Sequence, residues 1–355
     1  MSYFRPAVDA MTGYTPGEQP KPDTPFIKLN TNENPYPPSP QAVEVLRSLD
    51  PEWLRRYPNA YAQDFRQAVS EVLAVPADWV MVGNGSDELL SVIIRACAEG
   101  RDRTLVYPTP TYSLYRVLAA IQPATVVEVP YGADLGLPIK SLVAAHGAVT
   151  FIASPNSPTG HQVPLSDLRT LAQQTAGVLV IDEAYVDFAD ATALPLVQEF
   201  KNVIVLRTMS KGYGLAGLRL GFAVANPALL SGLFKVKDSY NVDAIATLVG
   251  TAAMYDQAYK NACAAKVKHT RQQLQTALIA LNFAVRPSQG NFVLATPPNA
   301  IPSAIDLCQQ LKAQHILVRH FNLPGLDDKL RITVGTDEQQ QQLLEAIHRY
   351  YPASA

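Results

Sequence analysis

From about residue 41 to residue 240 the chain alternates between short apolar runs and amphipathic stretches of roughly ten residues. The runs at 79–82, 104–107, 125–129, 148–153, 178–181, 203–206 and 220–225 are rich in Val, Ile and Leu and bounded by polar turns. Such runs read as strands buried on both faces. The segments 60–73, 86–98, 112–121, 137–145 and 166–176 read as helices; in the first, Phe65, Ala68, Val69 and Val72 form one stripe. Strands separated by helices in this way predict an α/β fold, with a mostly parallel sheet covered on both faces.

The flanks differ. Residues 1–40 are rich in proline (Pro16, Pro20, Pro22, Pro25, Pro35, Pro37, Pro38), which removes donors and fixes φ. They form an extended arm that must lie on its own subunit or on a partner, since Phe26, Ile27 and Leu29 would otherwise be wasted in solvent. Residues 226–282 are strongly helical, with few breakers between 244 and 281. Beyond them come strands at 284–285, 291–295, 316–319 and 330–334 and helices at 303–314 and 338–350. The expected division is an arm at 1–40, a large unit at 41–245 and a smaller α+β unit at 246–355.

Composition narrows the function. A formal net charge of −2 over 355 residues leaves no basic footprint for nucleic acid. No uncharged apolar run approaches the ~20 residues of a membrane helix, and the first thirty residues hold no secretory segment. Cys97, Cys263 and Cys308 are scattered, as in a reduced cytoplasmic protein. The six histidines show no metal-ligand spacing, so no metal site is expected.

Ligands of open parallel sheets bind outside the carboxyl ends of the strands. Five polar segments fall there: GNGSDE at 83–88, PTPTY at 108–112, SPNSPTG at 154–160, DEAY at 182–185 and the turn within TMSKGYGLAGLRLGF at 208–222. The first is either a phosphate cradle at a helix start or a plain cap by Ser86 or Asp87. Thr208, Ser210 and Arg219 add phosphate donors, and Lys211 sits where its pKa can fall. Asp182 closes a buried strand and needs a cation, either Lys211 or a protonated heterocyclic nitrogen. Two competing motifs fail. VLVIDE at 178–183 resembles a magnesium strand, but no G-x-x-x-x-G-K-[ST] accompanies it. GYGLAG at 212–217 runs into a strand rather than a helix, and Lys237, about twenty positions on, is basic.

DEAY followed by S-K-x-x-x-L-A-G-L-R-x-G resembles the fold-type I pyridoxal-phosphate-dependent aminotransferases. YTPGEQP at 14–20, NTNENP at 30–35, RYP at 56–58 and LRITVGT at 330–336 make it similar to the branch acting on histidinol phosphate. The resemblance implies a cofactor, pyridoxal 5'-phosphate, and roles for particular residues. Lys211 would form the Schiff base and shuttle the proton, Asp182 would keep the pyridine nitrogen protonated, and Tyr185 would donate to the ring oxygen. Tyr112 would stack on the ring; Gly85, Ser86, Asp87, Thr208, Ser210 and Arg219 would hold the phosphate. Tyr57 would reach the cofactor of a second subunit, implying a homodimer. Arg331 would grip the carboxylate of glutamate; Arg319 and Tyr14 would take the substrate phosphate, with Asn34 also at the substrate. The family's asparagine before Pro-Thr-Gly is here Ser157, preceded by Asn156, and either could contact the ring oxygen. An aromatic amino-acid aminotransferase, or a phosphoamino-acid decarboxylase on the same fold, are the alternatives.

Overall fold

A computed structural model describes residues 2–21, 24–98, 103–132, 134–298 and 302–351; Pro22 of the arm lies outside them. The arm's β1 (Ile27–Lys28) precedes seven strands that build the main sheet. These are β2 (Val80–Gly83), β3 (Leu105–Thr109), β4 (Val126–Pro130), β5 (Val149–Ala153), β6 (Val178–Asp182), β7 (Val203–Thr208) and β8 (Gly221–Ala225). Their spatial order is β2-β8-β7-β6-β5-β3-β4, parallel except that β8 runs antiparallel to both neighbours. Every residue of β2, β5 and β8 is buried, which is why these strands read as continuous apolar runs without alternation.

The two faces of the sheet carry separate cores. Phe65 and Phe222 meet edge to face in one; Ile93, Tyr115 and Phe151 pack in the other. From β3 the chain goes outward to β4 and then returns to β5 on the other side of β3, so strand order reverses between β3 and β5. That reversal opens a crevice at the carboxyl ends of β3 and β5.

The stretch 244–281 divides into the helices Ala244–Tyr255 and Gln257–Ala280 rather than continuing as one. Asp256 causes the break: its side chain accepts from Tyr259 N at 3.3 Å and caps the second helix. A second sheet holds β9 (Ala284–Val285), β10 (Phe292–Thr296), β12 (Arg319–His320) and β13 (Leu330–Thr333), in the order β12-β13-β10-β9. Between them β11 (Ile316–Leu317) pairs in parallel with β1, so the expected strand at 316–319 changes sheets at Val318. Thr333 N also donates to the Leu29 carbonyl at 2.9 Å. Residues 26–33 of the arm therefore lie on their own chain, with Leu29 1% exposed.

Candidate active site

A cavity of about 630 Å³ opens at the crevice, lined from all five polar segments, from the arm and from residues 319–331. At one end β2 runs into the helix Gly85–Cys97. Its N-cap, Asn84, makes no side-chain cap bond, so neither Ser86 nor Asp87 serves as the plain cap and the first-turn amides stay open to an anion. Gly85 has φ +79°, and a Cβ there would meet Arg219 Nη2 at 2.7 Å. Arg219 itself is left-handed at φ 52° and donates to Asp87 Oδ2 at 3.1 Å. Thr208 Oγ1 lies 3.0 Å from Ser210 Oγ, and both line the same end of the cavity. Open amides, two hydroxyls and a guanidinium form a donor set suited to a phosphate group.

Asp182 ends β6 on the cavity floor, 5% exposed. Lys211 is not its partner; Tyr115, which the sequence did not single out, donates its hydroxyl to Oδ2 at 2.8 Å, and Ala184 N donates to Oδ1 at 3.1 Å. Burial pushes the carboxyl up to about 6, partly offset by those two donors. In the unfolded chain the group titrates near 3.8, so the folded protein binds the extra proton between those values. Stability of the cofactor-free protein therefore falls as pH rises from 4 to 6, by about 3 kcal/mol at most from this group. Asp182→Asn should flatten that part of a melting-temperature profile; an unchanged slope would reject the assignment. Tyr112 packs over the same floor, its hydroxyl 3.3 Å from Asp87 Oδ1, and Tyr14 meets its ring edge-on.

Lys211 projects from the β7–β8 turn and donates to the Thr31 carbonyl of the arm at 3.1 Å. Burial lowers its pKa, the charge of Arg331 adds to the effect, and Tyr185, Glu33 and Asp87 oppose it. Its ammonium lies 5.9 Å from the centre of the Tyr185 ring. Asn34, expected at the substrate, does not line the cavity: its amide donates to the carbonyls of Lys211 and Gly212 at 2.9 and 3.1 Å. It braces the lysine turn from outside.

Arg331 reaches in from β13. It donates to Ser157 Oγ at 3.1 Å and to the Asn30 carbonyl at 2.9 Å, and its Nε is buried without a partner. Arg319 stands directly opposite it on β12 and lines the same cavity. Like charges in register repel, and among the described residues neither arginine has a carboxylate partner. Of the pair 156–157, Ser157 lines the cavity. Asn156 is fully buried outside it, accepting from Thr111 Oγ1 and donating to the Pro110 carbonyl and Thr159 Oγ1. Its polar atoms are already used, which leaves Ser157 as the side chain available to a ligand. Tyr57 lies apart from the cavity, 82% exposed and stacked on Tyr240 at 4.6 Å.

A mostly parallel sheet with a desolvated lysine, a buried carboxylate and a set of anion donors at its strand ends defines a class of enzyme. The family model of aminotransferases of class I and II matches residues 24–347, and the chain belongs to that family. It is 62% identical over 346 residues to histidinol-phosphate aminotransferase 1 of a Nostoc species, covering 98% of this chain and 97% of that one. It is 44% identical to the histidinol-phosphate aminotransferase of Geobacter sulfurreducens, over 97% of this chain and 98% of the other. The crystal structure of histidinol-phosphate aminotransferase from Sinorhizobium meliloti in complex with pyridoxal-5'-phosphate superposes with a TM-score of 0.88 at 25% identity, covering 99% of each chain.

Proposed function

We propose that the chain is a pyridoxal-phosphate-dependent transaminase moving an amino group between glutamate/2-oxoglutarate and histidinol phosphate/imidazole-acetol phosphate, a step of histidine biosynthesis. One observation carries this reading: Arg319 and Arg331 stand side by side in register on neighbouring strands and both line the cavity that holds Lys211, and among the described residues neither is paired with a carboxylate. A substrate pair in which one member carries a phosphate and the other a second carboxylate would satisfy both arginines in turn.

The cofactor, when bound, supplies an electron sink and the carbon that accepts the amino group. The chain supplies the rest. The open amides at Gly85–Cys97, with Thr208, Ser210 and Arg219, bind phosphate. Asp182, held by Tyr115, would keep a proton at a ring nitrogen. Tyr185 and Ser157 would hold the ring oxygen, and Tyr112 would pack against the ring. Lys211 Nζ, its pKa lowered, would take a proton from the substrate α-carbon, hold it as an ammonium, and give it to the carbon that receives the amino group. Arg331 orients a carboxylate; Arg319 and Tyr14 orient the phosphate.

The large unit 41–245 would carry the cofactor, and the small unit 246–355 would contribute the two arginines. The functional particle would be a cytoplasmic homodimer in which the exposed Tyr57 completes the partner's phosphate site; mixing subunits that each lack one half of a shared site tests this. Among the described residues no helix is long and apolar enough to cross a membrane. The test of substrate is a comparison of kcat/KM. Histidinol phosphate should exceed phenylalanine and tyrosine by about a hundredfold, the value of about 3 kcal/mol for charge-assisted bonds to phosphate. A preference for phenylalanine would move the assignment to an aromatic aminotransferase. Release of carbon dioxide without an oxo-acid acceptor would move it to a decarboxylase.

A further inference from the structure

Behind Tyr185 a buried network determines which way one hydrogen bond runs. Asn32 is 1% exposed and left-handed at φ 56°. Its backbone N–H donates to Thr333 Oγ1 at 2.9 Å. A backbone N–H can only donate, so the Thr333 hydroxyl accepts there and keeps its own proton for Asn32 Oδ1, at 3.0 Å. With Oδ1 turned to Thr333, the amide nitrogen faces Tyr185 and donates to its Oη at 2.9 Å. Turning the amide over would give Thr333 two donors and strand its proton in a site 2% exposed.

Tyr185 Oη therefore accepts from Asn32, and its own proton is left for an acceptor on the cavity side. The same strands hold both residues. Asn291 Nδ2 donates to the Asn32 carbonyl at 3.0 Å, and Phe292 meets the Tyr185 ring edge-on at 5.0 Å.

We infer that Asn32 is a positioning residue: it makes Tyr185 a donor into the cavity, and it does so only while the arm is docked on β10 and β13. This rests on the proposed reading of the cavity as the pyridoxal-phosphate site. A phenol that already receives a hydrogen bond donates more strongly to the next acceptor. Donation to a ring oxygen favours that oxygen's anionic form and holds down the pH at which the lysine-bound cofactor changes its visible absorption. Aspartate at position 32 would present only lone pairs to Tyr185 and draw its proton away from the cavity.

The test is a pH titration of visible absorption in cofactor-loaded wild type, Asn32→Asp, Tyr185→Phe and the double variant. Both single variants should move the midpoint upward, by about one pH unit. The double variant should match Tyr185→Phe, because Asn32 acts through that hydroxyl. Two results overturn the inference: an Asn32→Asp midpoint equal to wild type, or shifts that add in the double variant, which would mark a simple charge effect. Should Asn32→Asp fail to fold, Thr333→Val removes the hydroxyl that orients the amide without adding charge; a raised midpoint supports the inference and an unmoved one overturns it. Lys211→Ala separates the two readings. If it keeps the wild-type band, the site reading falls and this inference with it; an unmoved midpoint in the Asn32 and Thr333 variants overturns the inference alone.

Discussion

Replacement of Lys211 by alanine is expected to lower transamination by about 10⁴-fold or more, because one amine serves both as covalent tether and as proton carrier. Its environment supports both tasks. The amine is desolvated, feels the charge of Arg331, and donates to the Thr31 carbonyl, its one hydrogen-bond partner among the described residues. Burial and the Arg331 charge favour the neutral, nucleophilic form and outweigh the opposing charges of Tyr185, Glu33 and Asp87. Borohydride reduction of cofactor-loaded wild type should leave a covalent adduct at Lys211, and the variant should leave none. An adduct at another lysine would refute the assignment. Mixing Lys211→Ala with Tyr57→Ala subunits should recover activity that neither has alone, since a mixed dimer contains one site with both residues intact. No recovery would argue against a shared site.

The second large effect belongs to Arg331. Its guanidinium lies 5.4 Å from the centres of both the Phe292 and Phe321 rings, so leucine would keep the apolar contacts while losing the donors. Arg331→Leu should lower kcat/KM for glutamate by about a hundredfold to a thousandfold, the loss of roughly 3–4 kcal/mol from charge-assisted bonds in a buried site. Arg331 binds and orients the substrate without exchanging a proton with it, so the loss should fall mainly on KM. Arg331→Lys should recover little, because an ammonium cannot offer two parallel N–H groups to a carboxylate. A variant with unchanged KM for glutamate would remove Arg331 from the substrate site. The melting temperature should hold or rise, since the charge that faces Arg319 across β12 and β13 is gone.

Much of this architecture was legible in the linear order of residues. The strands β5, β7 and β8 stood out because strands covered by helices on both faces are apolar throughout, and a short run without polar alternation suffices to show it. Lys211, Asp182 and Arg219 were legible because charged residues at the ends of such runs are chemically out of place. Tyr115 was not. It lies in the helix Leu114–Ile121, three residues from Tyr112, among several tyrosines of similar setting. Only the packing of that helix over β6 brings its hydroxyl to a carboxylate 67 positions away. Asn34 misled for the opposite reason: a polar residue in an arm full of polar residues points to a ligand as readily as to a carbonyl of the lysine turn.

From its sequence alone this chain was committed to alternating buried strands and amphipathic helices, with a lysine and a carboxylate at their ends, because those properties depend on residues a few positions apart. The tertiary structure decided that Ser157 and not Asn156 faces the cavity, that Arg319 and Arg331 stand in register, and that the Asn32 amide donates to Tyr185 Oη. Asn32 lies 153 residues from Tyr185 and 301 from Thr333. Contacts across such separations follow from how helices and sheets pack, which no local period or propensity encodes.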